Sequence, residues 1–234
     1  IINKLENSKI INVIMIFISI VFTASMFAGL KSLFAFSNSF VYILLCALLL
    51  SFTLYITMKG MKALEKVTAF LMPACAFVFL SVLIFICFQK QEFFVETKPP
   101  FGLLYSPLYV SLNFSTSVFI VGKAGDGLTK KQTFLVSLFS TLILFAFLTF
   151  GNFALRGHAD SFYADMPFLY LCQGNKFFFV LCYIVIFIGC FTTLISLCYT
   201  LKQSLNGFFK SDLTTICLSV FFPFLISELG FSQI

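Results

Sequence analysis

The sequence predicts an all-α protein, a polytopic bundle of seven membrane-spanning helices. Three observations predict it. Of 234 residues, 60% are hydrophobic and 10% charged, with a mean hydropathy of +1.06, whereas water-soluble domains run near 45–50% apolar and about 25% charged. The apolar residues fall into blocks of about 19–25, the length at which a helix rising 1.5 Å per residue crosses a hydrocarbon core of roughly 30 Å. The basic residues fall between those blocks and alternate in density from one connection to the next. This composition excludes a soluble globular enzyme, a disordered tail and a nucleic-acid-binding module. The net charge of +6 comes from lysines scattered singly through connections, with no basic stripe.

The spans are expected at about 10–30, 38–57, 67–88, 103–122, 132–155, 177–201 and 213–232, in one transmembrane domain covering 1–234. Blocks such as Val41 to Leu50 do not alternate apolar with polar residues, which argues against a β-barrel. The basic stretch Lys59 to Lys66 leads straight into the third span and is either its first turn or a short surface helix. Pro73 and Pro223 are expected to kink the third and seventh spans. The connection from Arg156 to Lys176 is long, and Pro167, followed by Phe168, Leu169 and Tyr170, is placed to start a short helix on the membrane face.

Charge then orients the bundle. One set of connections holds ten basic residues: Lys4, Lys9, Lys59, Lys62, Lys66, Lys123, Lys130, Lys131, Lys202 and Lys210. The other holds five: Lys31, Lys90, Lys98, Arg156 and Lys176. The richer side is expected to be cytoplasmic. The chain is therefore expected in the cell membrane, with its N-terminus inside and its C-terminus outside. No signal-peptide pattern is visible at the start.

Most reactive residue types are poorly placed for chemistry. Cys46, Cys75, Cys87, Cys182, Cys190, Cys198 and Cys217 lie within or at the ends of apolar blocks, and Cys172 lies in a loop. There is no C-x-x-C and one histidine, so neither a disulfide framework nor a metal site is expected. His158 and Arg156 are expected to be solvated. No ionisable residue stands at mid-membrane. Lys31 and Glu228, near the outer ends of their spans, are expected to reach the interface by snorkelling. No nucleophile–base–acid set occurs, so an enzyme is not expected, nor a cofactor beyond a possible Na⁺.

Two spans carry polar clusters. The fourth contains Pro107, Ser111, Asn113, Ser115, Thr116 and Ser117, then Gly122, Gly125 and Gly127. Proline removes a helical hydrogen bond, and Asn, Ser and Thr can satisfy the freed groups. Irregular backbone at membrane depth survives only inside protein or beside a water-filled cavity. Such a broken helix turns its dipole ends toward a ligand. The alternative is an intact helix whose hydroxyls bond their own backbone while Asn113 bonds a neighbour. The sixth span carries Thr192, Thr193 and Ser196, with Thr192 and Ser196 four apart on one face. Hydroxyls are hard ligands suited to a small cation such as Na⁺, given further carbonyl oxygens. Close helix packing is the competing explanation.

The segment SPLYVSLNFSTSVFIVG, Ser106 to Gly122, resembles the Y-x-S-x-N pattern of the YkvI-type bacterial membrane proteins and, more distantly, the amino acid–polyamine–organocation superfamily. KGMKALEKV, Lys59 to Val67, resembles the connection between that fold's fourth and fifth helices, and LISELGFSQI, Leu225 to Ile234, the end of its ninth. The resemblance implies that the seven spans are helices three to nine of a five-plus-five inverted repeat. Sliding the chain against itself aligns Ile14, Ile16, Phe17, Ile18 and Thr23 with Ile184, Ile186, Phe187, Ile188 and Thr193, the offset such a repeat needs. It further implies a fragment whose partners include the missing helices of its own full-length chain, alongside the lipid bilayer and a small-molecule solute.

On this resemblance the expected function is secondary transport of a small organic solute, an amino acid or amine, coupled to a cation and run by alternating access. Ser111, Asn113, Ser115 and Thr116 would line the solute site, and Thr192, Thr193 and Ser196 an ion site. The alternative is a non-transporting sensor or receptor subunit on the same fold, like the germinant receptors.

Overall fold

In the computed structural model, six long helices occupy six of the seven expected spans. The structure describes residues 9–34, 38–89, 107, 111, 121–122, 125, 127–158, 161, 164, 166–206, 208–209 and 211–229. Helix α1 is Lys9–Phe34, α2 is Ser39–Lys59, α3 is Met61–Cys87, α4 is Lys130–Arg156, α5 is Pro167–Leu171, α6 is Lys176–Leu205 and α7 is Asp212–Ile226, followed by a 3₁₀ turn at Ser227–Leu229. No strand occurs among the described residues. The six long helices are all apolar and long enough to cross a membrane. The expected fourth span, 103–122, lies outside the described residues except at Pro107, Ser111, Val121 and Gly122, which are helical.

The ends of the helices follow from local chemistry. Gly60 separates α2 from α3 with φ +77° and ψ −165°, a region open almost only to glycine. Its N–H still donates to the Ile56 carbonyl at 3.2 Å, and its own carbonyl accepts from Ala63 and Leu64. The basic stretch after it forms the first turns of α3, which starts at Met61 rather than at 67, because Lys62, Leu64, Glu65 and Lys66 are good helix formers. No atom lies near the position of an added Cβ at Gly60. Gly60→Ala is therefore expected to destabilise through backbone strain alone, by about 1–3 kcal/mol, read as a lowered unfolding temperature in detergent.

Thr129 caps α4 in a reciprocal box with Gln132: the Gln132 N–H donates to Thr129 Oγ1 at 3.4 Å, and the Thr129 N–H to Gln132 Oε1 at 2.9 Å. Asn175 Oδ1 accepts from the N–H groups of Phe177 and Phe178 and starts α6. Ser211 caps α7 through the Thr214 N–H. The short helix expected at Pro167 is α5, with proline at its first position. Helices α3 and α7 run through Pro73 and Pro223.

The chain divides into two compact units. The first comprises Ile1–Phe70, Phe101–Ala124 and Gly189–Ile234, and the second Leu71–Pro100 and Gly125–Ile188. In the first, α1 and α2 both pack on α7. Ile56 of α2, Leu64 of α3, and Ile195 and Tyr199 of α6 form a further buried cluster, with Met61, Val67 and Phe191 against it. In the second, aromatic rings join the helices. Phe79 meets Phe147 at 5.7 Å and Phe168 at 5.5 Å, and Phe85 stacks on Phe178 at 3.7 Å. Gly151 leaves room for the Phe168 ring, which would stand 3.4 Å from a Cβ there.

Helix α4 exposes apolar side chains around most of its circumference, including Phe134, Leu138, Phe139, Leu142, Phe145 and Leu148, as a helix solvated by hydrocarbon does. His158 departs from the expectation of full solvation. It is half-buried, with Nδ1 3.1 Å from the Ala154 carbonyl at the end of α4, where a ring nitrogen can satisfy one of the carbonyls that a helix end leaves open. Cys172, expected as a loop thiol, lies directly after α5 and is fully buried, as is Cys182 on α6. A hydrogen bond from Cys182 holds the Cys172 thiol below its usual pKa, against the opposing effect of burial.

A polar interior in the first unit

The residues singled out from the sequence lie in different circumstances. Asn113, Ser115 and Thr116 are outside the described residues. Ser111 is helical and exposed. On α6, Thr192 is buried, Ser196 half-buried and Thr193 exposed. Thr192 and Ser196 thus share a face, one turn apart, and Thr193 points elsewhere. All three hydroxyls donate to their own helix: Thr192 and Thr193 to the Gly189 carbonyl at 3.0 and 2.8 Å, and Ser196 to the Thr192 carbonyl at 2.9 Å. Thr200 continues the pattern onto Ser196. A hydroxyl that donates in this way still carries two lone pairs that can accept.

Two polar features of this unit were not anticipated. The first concerns Lys31 and Glu228, both expected to snorkel: Lys31 is drawn inward, while Glu228 stays exposed. Lys31, in the last turn of α1, is 5% exposed. Its ammonium donates to Ser227 Oγ at 2.7 Å, to the Phe224 carbonyl at 3.3 Å and to the Glu228 carboxylate, and it lies 3.7 Å from the centre of the Phe224 ring. Lys31 turns inward because the end of α7 and the 3₁₀ turn after it offer these partners within reach, and an ammonium so coordinated needs little water. Glu228 keeps the exposed side of the pair, at 62%. At the other end of α7, Lys202 is likewise largely buried and pairs with Asp212 at 3.0 Å.

The second feature is a set of buried hydroxyls. Helix α1 contributes Ser19 and Thr23, α2 contributes Thr53 and Thr57, and α7 contributes Thr215 and Ser219, each pair four residues apart and all fully buried. The register of α1 and α7 follows from two contacts. Lys31 meets Glu228, 197 residues away, and Phe27 meets Phe224 edge-on at 5.3 Å with the same separation. The two helices therefore run parallel, and continuing that separation places Thr23 level with Val220 and Ser19 with Ile216. Helix α2, joined to α1 by a short connection, packs on α7 as well. Counting 1.5 Å per residue back from Lys31 and Glu228, Thr23 and Ser219 lie at about 12–14 Å along their helices, and Ser19 and Thr215 at about 18–20 Å. The hydroxyls of α1 and α7 thus occupy two adjacent levels. The sequence did carry a signal for them, three spaced pairs in three different spans, but only packing shows that all six turn inward.

Among the described residues, no group of three His, Cys, Asp or Glu side chains is placed to hold a metal ion. Helices of this length and apolarity define the chain as a multi-pass α-helical membrane protein. No family model matches the chain, and neither a curated protein nor a solved structure does.

Proposed function

We propose that the chain belongs to a secondary transporter of a small organic solute, of the amino acid or amine class, coupled to a cation and working by alternating access. The observation that carries this reading is the makeup of the fourth apolar segment. It sets Pro107 and a row of Ser, Asn and Thr side chains within one apolar block, a makeup that suits a helix whose backbone opens onto a protein-lined cavity. Ser111, Asn113, Ser115 and Thr116 would bind the solute, and the lone pairs at Thr192, Thr193 and Ser196 would assist a cation. The resemblance to the YkvI-type proteins and the amino acid–polyamine–organocation superfamily, with an inverted-repeat arrangement of helices, supports the same reading, as do the polar side chains buried in the first unit.

Counterflow of radiolabelled amino acids and amines in proteoliposomes tests it. Accumulation of label against unlabelled internal solute, dependent on a cation gradient, is the expected result. Saturable binding without any uptake across such a screen would assign the protein to the sensor class, in which a ligand shifts a conformational equilibrium and nothing crosses.

A further inference from the structure

We propose that the corner between α2 and α3 binds the headgroup of an anionic phospholipid, its phosphate held chiefly by Lys62 and Lys66 of α3. The two lysines stand four residues apart on one face of the helix, with about 5–6 Å between their Cβ atoms, and both are exposed. Leu64, on the opposite face, is 3% exposed and packs with Ile56, Ile195 and Tyr199, which fixes the direction that the lysines face. Lys59 ends α2 three residues before Lys62, at most about 11 Å away along the chain, and its ammonium lies 5.6 Å from the centre of the Tyr55 ring. Three lysines and Glu65 leave the corner with a net charge of +2.

Three observations set these lysines apart from charges that merely orient a span. The buried lysines of this unit, Lys31 and Lys202, each meet a carboxylate, whereas Lys59, Lys62 and Lys66 have none within ion-pair distance among the described residues. Lys62 stands in the first turn of α3, where the helix dipole favours an acid over a base, so helix stability does not account for it. The depth of the charges matches a lipid. Of the 27 residues of α3, the first six carry the charges and rise about 9 Å, and the 21 that follow rise about 31 Å. A bilayer has a hydrocarbon core of roughly 30 Å beneath headgroup layers of roughly 5–8 Å. One turn beyond Lys66 on the same face comes Phe70, 80% exposed. The face thus passes from ammonium groups to an apolar ring in the order in which a phospholipid passes from phosphate to acyl chain. Orienting a span needs positive charge in a connection but no such alignment, and a free phosphate makes no use of the apolar half.

The test is lipid retention by the purified chain in native mass spectrometry, from micelles doped with equal amounts of phosphatidylglycerol and phosphatidylcholine carrying the same acyl chains. The parent is expected to retain phosphatidylglycerol in preference. Lys62→Gln combined with Lys66→Gln should cut that preference by roughly fivefold or more, and Lys62→Arg combined with Lys66→Arg should keep it. Lys130→Gln with Lys131→Gln, the same loss of charge at the start of α4, should leave it unchanged. An excess of inorganic phosphate should not displace the bound phosphatidylglycerol. All four lysines are exposed, and unfolding temperatures matching the parent's verify that the variants fold. Equal retention of the two lipids by the parent would overturn the proposal, as would a Lys62 and Lys66 glutamine variant that keeps the preference. An equal loss in the Lys130 and Lys131 variant would reduce the effect to net charge, and displacement by inorganic phosphate would give the corner to a free anion; either result overturns it as well. No solute or turnover is measured, so this result and the counterflow result stand or fall separately.

Discussion

Glu228→Ala is expected to destabilise the protein by about 2 kcal/mol, and Lys31→Met by less than about 1 kcal/mol. The inequality follows from which partner is buried. The Lys31 side chain is 6% exposed and that of Glu228 62%. Removing the carboxylate leaves an ammonium in an apolar interior with one hydroxyl, one carbonyl and a ring face for company. Removing the ammonium leaves a carboxylate that water already reaches, while methionine keeps much of the aliphatic stem against Phe224. The figure for Glu228 sits below that for fully buried pairs because its exposure screens the interaction. Combining the two changes should cost little more than Lys31→Met alone, since the second removes a charge whose partner has gone. Unfolding temperatures of the three variants in one detergent check this. Equal losses from the two single changes would mean that the pair is held by contacts other than its charges.

Asn113→Ala is expected to weaken solute binding by more than about tenfold, the equivalent of at least about 1.4 kcal/mol. An amide in a low-dielectric cavity can donate twice and accept twice. If the solute takes up those bonds, alanine strands its polar groups and the full desolvation penalty appears in the affinity. The reading is a dissociation constant from equilibrium binding of the best solute found in the counterflow screen, with the unfolding temperature measured alongside. A lowered unfolding temperature and an unchanged dissociation constant would give Asn113 a packing role between helices, where a lost interhelical hydrogen bond costs about 0.6 kcal/mol on average.

Much of the fold is legible in the sequence because lipid imposes a simple rule. A segment must be apolar for about twenty residues or it does not cross. Charged or glycine boundaries such as Lys9, Lys59, Arg156, Lys176 and Asp212 mark the ends of described helices to within a few residues of the expected ones. Pro167 marked α5 for a related reason, its missing N–H being harmless at a first helical position. The start of α3 was less legible, because a basic amphipathic stretch satisfies both a helix turn and a surface segment until the backbone at Gly60 is known.

The polar interior was legible residue by residue but not as a whole. Lys31 and Glu228 each read as an ordinary end-of-helix charge, and their pairing spans almost the full length of the chain. Ser19, Thr23, Thr53, Thr57, Thr215 and Ser219 are hydroxyls set within apolar runs of the sequence. Their meaning depends on which face of each helix turns inward, and in lipid the outward face is as apolar as the inward one. Periodicity therefore carries little phase information. Thr193 shows the same limit from the other side: its neighbour Thr192 is buried and it is not.

The parallel alignment of α1 with α7 also restricts how the first unit can move. A slip of one turn, about 5.4 Å, would carry the Lys31 ammonium away from Ser227 and Glu228 and pull Phe27 off Phe224. Unlike a seam of leucines, which can ratchet between equivalent notches, these two helices are keyed. The two helices therefore move together, as one strut.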